Sequence, residues 1–221
     1  MSYMKKGFSS NIVLMLTLLG IVLILMFFVN KKKTFMSQFR PSLEQFEGQA
    51  AVVKNRYLNR PFRFSISAPD SFWHFAYPTN IDSTSINKGS EFDPFNLATI
   101  TRDFAGDTVA VAKVGVFRRQ GELSLEEIAS RSLKHVVETY KTATEPVNIV
   151  ADVTVAGSAN LSSCFYVAEF PLNSIHPYPV RVVMFVVWND TVYRILCQVR
   201  RESYEEFRPD FEYILKSFSF I

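Results

Sequence analysis

Residues Asn11 to Val29 read NIVLMLTLLGIVLILMFFV, nineteen positions without a charge, and no other feature restricts the chain as much. At about 1.5 Å of rise per residue, a helix of that length covers about 29 Å, close to the hydrocarbon thickness of a bilayer. A transmembrane helix is therefore expected over residues 11–30, behind a short tail of residues 1–10. A cleaved signal peptide would have an apolar core of about 7 to 15 residues and then a small-residue cleavage site. Here the run ends in Val29-Asn30-Lys31-Lys32-Lys33, with neither an Ala-x-Ala site nor a lipid-accepting cysteine. The expectation is an uncleaved, single-pass signal-anchor.

Positive charge flanks the run on both sides. Lys5 and Lys6 precede it, while Lys31, Lys32, Lys33 and Arg40 follow. The positive-inside rule needs an asymmetry between the flanks, and this one is small. The count leans toward a cytoplasmic domain, but a short Lys-bearing start followed at once by an apolar core is how exporting anchors begin. An extracytoplasmic domain is preferred, with the cytoplasmic side as the alternative.

Residues 31–54 are expected to form a helical stalk. Phe35, Phe39, Leu43 and Phe46 recur at about one helical turn, with Pro41 interrupting them. Phe35 and Phe39 would then contact another membrane subunit or lie in the interface, with the lysines against anionic headgroups. The alternative is a linker whose aromatics tuck against their own domain.

The remaining residues, 55–221, suffice for one domain with a real core. Of the 221 residues 48% are hydrophobic, and the net charge of +3 is small and interspersed, so no basic face for nucleic acid is expected. Cys164 and Cys197 fall in strand-like stretches and are read as buried apolar residues. The expected pairing sets Cys197 opposite Val182 and Cys164 opposite Val186, too far apart for a disulfide.

Tyr57 to Ile66 alternates, with Phe62, Phe64 and Ile66 on one face, and reads as a first strand ended by Ala68-Pro69-Asp70. Tyr77 to Phe95 reads as a long irregular excursion. Strands Leu97–Arg102 and Thr108–Arg118 follow, joined by Ala105-Gly106-Asp107. Ser124-Leu-Glu-Glu127 is a capping box that starts a helix with an apolar stripe of Leu125, Ile128, Ala129, Leu133, Val136, Val137 and Tyr140. A meander comes next: Val147–Val155, a turn at Gly157, Leu161–Phe170, an interior strand Val180–Val187, a turn at Asn189-Asp190, and Thr191–Val199. In the last, Tyr193, Ile195, Cys197 and Val199 should share one face, opposite Arg194 and Gln198. A second capping box, Ser203-Tyr-Glu-Glu206, opens a closing helix in which Pro209 is expected to force a restart or a kink. The fold class is α+β, an antiparallel sheet meander covered by helices, plus the transmembrane helix.

Several strings resemble the Mog1/PsbP family. Tyr57-Leu-Asn-Arg-Pro-Phe-Arg-Phe-Ser-Ile-Ser-Ala-Pro-Asp-Ser-Phe-Trp73 is similar to its opening, and Leu123-Ser-Leu-Glu-Glu-Ile to its helix start. Val192-Tyr-Arg-Ile-Leu, with Tyr204, Phe207, Phe211 and Ile214-Leu-Lys-Ser-Phe218, is similar to its last strand and helix. The resemblance covers roughly Asn55 to Ile221. It implies an α-β-α sandwich used as a binding module or accessory subunit, and carries no catalytic residues. The anchor departs from the plant lumenal members and lipidated bacterial relatives, which weakens transfer of a photosystem role.

No chemistry stands out. His74, His135 and His176 lack a second ligand at metal spacing, the thiols sit inside strands, and no phosphate loop or nucleophile elbow is present. The acidic pairs Glu126-Glu127 and Glu205-Glu206 fit the first turns of helices. No catalytic residue, metal or cofactor is expected. Trp73, Phe75, Tyr77, Phe92 and Phe95 gather around the long loop and form the candidate partner contact within the domain. The expected function is a non-enzymatic, membrane-anchored binding module, an accessory or assembly subunit of a membrane protein complex. The alternative is a stand-alone ligand- or lipid-binding domain, with the long loop covering a pocket between sheet and helix.

Overall fold

The computed structural model describes residues 50–221 except 79–80, 82, 141–145, 159–160 and 172–177. All belong to one unit, Gly48–Ile221. The Asn11–Val29 run, the lysine flanks and most of the expected stalk lie outside the described residues. Among the described residues no helix is long and apolar enough to cross a membrane.

Two antiparallel sheets make up the domain. The smaller has the order β1-β2-β3-β11, from β1 (Ala50–Val53), β2 (Arg56–Asn59), β3 (Phe64–Ser67) and β11 (Ser219–Phe220). The larger has seven strands in the order β4-β5-β6-β10-β9-β8-β7. Its members are β4 (Trp73–Ala76), β5 (Phe95–Phe104), β6 (Asp107–Arg118), β7 (Asn148–Ser158), β8 (Leu161–Glu169), β9 (Val180–Trp188) and β10 (Thr191–Val199). Two meanders, β4-β5-β6 and β7-β8-β9-β10, join where β6 pairs β10. The helix between them, α1 (Leu125–Thr139), lies on one face of this sheet. The closing helix α2 (Tyr204–Ser217) and the small sheet share the other. The helix-covered meander is thus refined: on one face a second sheet shares the covering with α2.

Alternation fixes those faces. On β10, Tyr193, Ile195, Cys197 and Val199 enter the core with Phe207, Phe211 and Ile214 of α2. Val192 faces α1 with Val183 and Phe185 of β9, around Ile128, Ala129 and Leu133. Tight turns follow the sequence signals. Ala105 and Gly106 both have positive φ (52° and 90°), the geometry of a two-residue hairpin, and Asn189 does the same between β9 and β10 at 52°.

Several expectations are corrected. Tyr57–Ile66 is not one strand but the hairpin β2–β3. The Asn59 side chain accepts from the Phe62 amide at 3.1 Å and Arg63 takes φ 50°, so the chain reverses while Phe62 remains buried. Residues 50–53, assigned to a helical stalk, form the edge strand β1 against β2. Trp73–Ala76, to which the sequence pattern assigns no element, is a strand paired with β5, and the excursion after it contains a 3-10 helix, Ser83–Lys88. Gly157 pairs with Ser162 inside β7–β8 instead of turning the chain. Val137, placed on the buried stripe of α1, is exposed. Cys164 faces Phe185, one position from the expected Val186.

The first capping box is present: the Glu127 amide donates to Ser124 Oγ at 3.1 Å and the Ser124 amide to Glu127 Oε2 at 2.6 Å. The second is absent. Ser203 has φ −101° and ψ 0°, because the 3-10 turn Arg201–Ser203 runs straight into α2, and its hydroxyl caps nothing. Pro209 sits inside α2, which continues through it as one helix; the ring only removes a donor near the first turn.

Candidate functional site

The membrane-flanking Lys5, Lys6, Lys31, Lys32, Lys33 and Arg40, and Phe35 and Phe39 of the seven candidate partner contacts, lie outside the described residues. The other five do not form a surface. Trp73 is buried between Phe207 and Phe211 of α2, with ring centroids at 6.2 and 6.4 Å, and its indole Nε1 donates to Asp210 at 3.2 Å. Phe75 and Tyr77 pack on buried Tyr57, at 6.2 and 5.0 Å. Phe95 is half-buried under Lys88. Phe92 alone of the five is exposed, and it lies flat on His135 of α1 at 4.0 Å. Trp73 and Phe75 are drawn inward because they alternate with exposed His74 on strand β4, whose inner face meets α2 and Tyr57.

The large concavity lies elsewhere. A groove of about 1050 Å³ runs along α2, from Tyr204 in its first turn to Phe220 just past its end. Its floor is apolar: Phe165 and Val167 on β8, Val182 and Met184 on β9, with Phe211 and Leu215 as the helix wall. The groove exists because the sheet is wider than the helix covering it, and α2 reaches only part of β7–β9. One end is closed by Trp188 against Phe220, 4.7 Å between ring centroids. Val150 on the edge strand β7 lines the open side and is 52% exposed.

Above the floor, α2 presents Glu205, Arg208, Glu212 and Lys216, three or four residues apart and so on one stripe. They form a ladder of ion pairs: Arg208 to Glu205 at 3.6 Å, Arg208 to Glu212 at 3.5 Å, and Lys216 to Glu212 at 3.0 Å. Lys216 holds the Glu212 carboxyl below its usual range. The rim is charged but self-neutralised, an arrangement suited to excluding water around an apolar guest rather than to gripping an ion. Trp188 and Val150 are the residues a periodicity argument passes over, because each sits at a strand end or edge where alternation no longer reports burial.

A second, smaller cavity of about 180 Å³ lies on the opposite face, under α1. Ser132, His135, Thr139 and Tyr140 line it from the helix side, Tyr166 and Leu196 from the sheet, and Arg181 and Arg194 enter from β9 and β10. Ser132 Oγ and the Tyr166 hydroxyl hydrogen-bond at 3.0 Å. The Arg194 guanidinium donates to the Phe92 carbonyl at 3.3 Å, so the loop carrying Phe92 closes over this cavity. Burial pushes Arg194 down to about 10 and lowers Arg181 as well. His74 is exposed on β4, and His176 lies outside the described residues. Among the described residues no three His, Cys, Asp or Glu side chains are grouped to hold a metal.

No family model matches the chain, and no curated protein sequence does. Solved structures do. The solution structure of cyanobacterial PsbP (CyanoP) from Synechocystis sp. PCC 6803 superposes with a TM-score of 0.54 at 7% identity, covering 77% of this chain and 95% of that one. LpqN of Mycobacterium tuberculosis, a protein involved in cell envelope biogenesis, gives 0.42 at 12% identity, covering 82% and 95%. A Bacteroides thetaiotaomicron protein gives 0.40 at 10% identity, covering 80% and 49%. At such identity the likeness to cyanobacterial PsbP concerns fold alone: residues 50–221 have a PsbP-like α+β fold.

Proposed function

We propose that the chain is a non-enzymatic, membrane-anchored binding module, an accessory or assembly subunit of a membrane protein complex, whose groove along α2 receives apolar side chains of a membrane-resident partner. The groove carries this reading. An apolar floor rimmed by paired charges and opening at an edge strand is the anatomy of a polypeptide contact, with a water-excluding core and a polar border. The uncharged run Asn11–Val29 supports the membrane location, with the domain preferred on the extracytoplasmic side.

The test is site-specific photo-crosslinking in native membranes, followed by purification in mild detergent. A crosslinker at Val150 should capture one stoichiometric membrane protein. One at Phe104, 73% exposed at the far hairpin, should not. Migration as a lone monomer with no adduct at Val150 sinks the proposal. Single cysteines engineered after Arg118 and labelled with an impermeant reagent in intact cells report the side of the membrane.

A second reading has its own support. Val167, Val182, Met184 and Leu215 offer an aliphatic floor that an acyl chain would fill. A lipid present at one per chain in the organic extract of purified protein, displaced by Leu215→Glu, would favour a stand-alone lipid-binding domain over the subunit.

A further inference from the structure

Arg181 and Arg194 stand on the α1 face of adjacent strands, with the paired residues Val183 and Leu196 between them. Neither makes an ion pair with a carboxylate among the described residues. The acids nearby are otherwise placed: Glu91 is paired with Arg131 at 3.1 Å, and Asp93 favours the charge on Arg194 without reaching it as a salt bridge. Arg181 lays its guanidinium over the Phe170 ring at 4.0 Å and donates a hydrogen bond to the Tyr140 side chain, yet its Nε is buried with no partner. Two positive charges, both part-buried and both lining one cavity, repel each other at a cost unless something anionic is shared between them.

The remaining lining fits such a guest. In the Ser132–Tyr166 pair one hydroxyl donates to the other, which leaves the acceptor's own proton to be given elsewhere. Guanidinium forks and hydroxyl donors around a small volume match the tetrahedral oxygens of phosphate. About 180 Å³ holds a few waters or one such ion, and the Phe92 ring stacked on His135 stands at its margin.

We propose that the cavity beneath α1 is a binding site for a small oxyanion of the phosphate class, gripped by Arg181 and Arg194 with the Ser132–Tyr166 hydroxyls completing the shell. The site is independent of the groove along α2, which lies on the opposite face of the sheet.

The experiment uses the full chain in mild detergent and inorganic phosphate as the probe, against chloride at matched ionic strength. Equilibrium dialysis with radiolabelled phosphate should give saturable binding of one ion per chain. Arg181→Gln and Arg194→Gln should each weaken it at least about tenfold, while Arg208→Gln on the rim of the groove leaves it unchanged. Ser132→Ala, a milder change, should weaken it by a smaller factor with the near-ultraviolet circular dichroism intact, which separates loss of the site from loss of the fold. Competition by dihexanoyl phosphatidate identifies a lipid headgroup as the source, and its failure to compete identifies a free ion. No saturable phosphate binding by the native chain, or binding indifferent to both arginine changes, overturns the proposal.

Discussion

The Tyr193 hydroxyl donates a 2.7 Å hydrogen bond to the carbonyl of Phe62, tying the middle of the seven-stranded sheet to the turn of the four-stranded one. Both partners are buried, so removing the hydroxyl strands a carbonyl that water cannot reach. Tyr193→Phe keeps the ring and its packing on Phe64 and Phe218. It should destabilise the domain by about 1–3 kcal/mol. Urea unfolding should show a lower midpoint with an unchanged slope; an unchanged midpoint would mean the two sheets do not depend on this tie.

Tyr193 and Tyr57, both buried, set an alkaline limit. Burial, offset in part by the Asn59 hydrogen bond, pushes Tyr57 up to about 12, and burial raises Tyr193 further. An unfolded tyrosine ionises near pH 10, about two units below folded Tyr57. The folded state therefore holds protons that the unfolded state releases. The stability contribution is fully present below about pH 10 and is lost as pH rises through about 12. Unfolding midpoints measured from pH 9 to pH 12 should fall steadily beyond 10. Tyr57→Phe, less stable at neutral pH, should show a shallower fall, and an identical slope would count against the assignment.

Gly89 is held where no side chain fits. A Cβ there would lie 2.3 Å from the Val116 carbonyl oxygen and 2.5 Å from the Phe95 amide nitrogen, both backbone atoms that cannot rotate away. Gly89→Ala should therefore cost about 3 kcal/mol or more, detaching the loop after Ser83–Lys88 from β6. Gly106→Ala in the β5–β6 turn meets no atom within 4 Å and carries only the strain of its φ of +90°, about 1–2 kcal/mol. Thermal denaturation of the two variants side by side checks the ranking.

Two Ser-x-x-Glu strings read identically in the sequence and behave differently in the fold. Ser124→Ala should cost about 1 kcal/mol, since Ser124 Oγ accepts the Glu127 amide. Ser203→Ala should fall within about 0.5 kcal/mol of the parent, since Ser203 caps nothing. The Glu127 carboxyl is held low, first by the Ser124 amide, so its contribution is present above its unfolded value and lost as pH falls through its folded value. The deficit of Glu127→Gln, followed by chemical unfolding, should accordingly shrink on acidification. A capping box is a local signal, whereas Arg201 is drawn to Glu169 and the Phe170 carbonyl at the end of β8, and that tertiary pull turns the chain early.

That contrast shows what could be read from the residues. Strands β6, β9 and β10 and helix α1 are long and periodic, and their faces were legible because alternation and the 3.6-residue repeat persist over nine to fifteen residues. The Asn59–Arg63 turn was hidden because Phe62, Phe64 and Ile66 keep alternating through a reversal that Asn59 and Pro61 could have signalled. The groove was not legible at all, since it arises from the width of the sheet relative to α2, which no local pattern encodes. The two arginines were visible as letters; that Arg181 and Arg194 share a cavity required the β9–β10 register.

Register also decides the cysteines. Had Cys164 stood opposite Val186, it would have shared a face with Cys197; opposite Phe185, it joins the α1 side, while Cys197 opposite Val182 stays on the α2 side. The sheet itself now separates the thiols. Burial raises both, and because the thiolate is the reacting species each should be inert in the folded chain. A thiol reagent should label the detergent-solubilised protein at a rate set by unfolding, reaching two thiols per chain at once in denaturant. Mild oxidation should leave both free. Rapid native labelling of either residue, or an internal disulfide after oxidation, would show that the two thiols are not buried on opposite faces of the sheet.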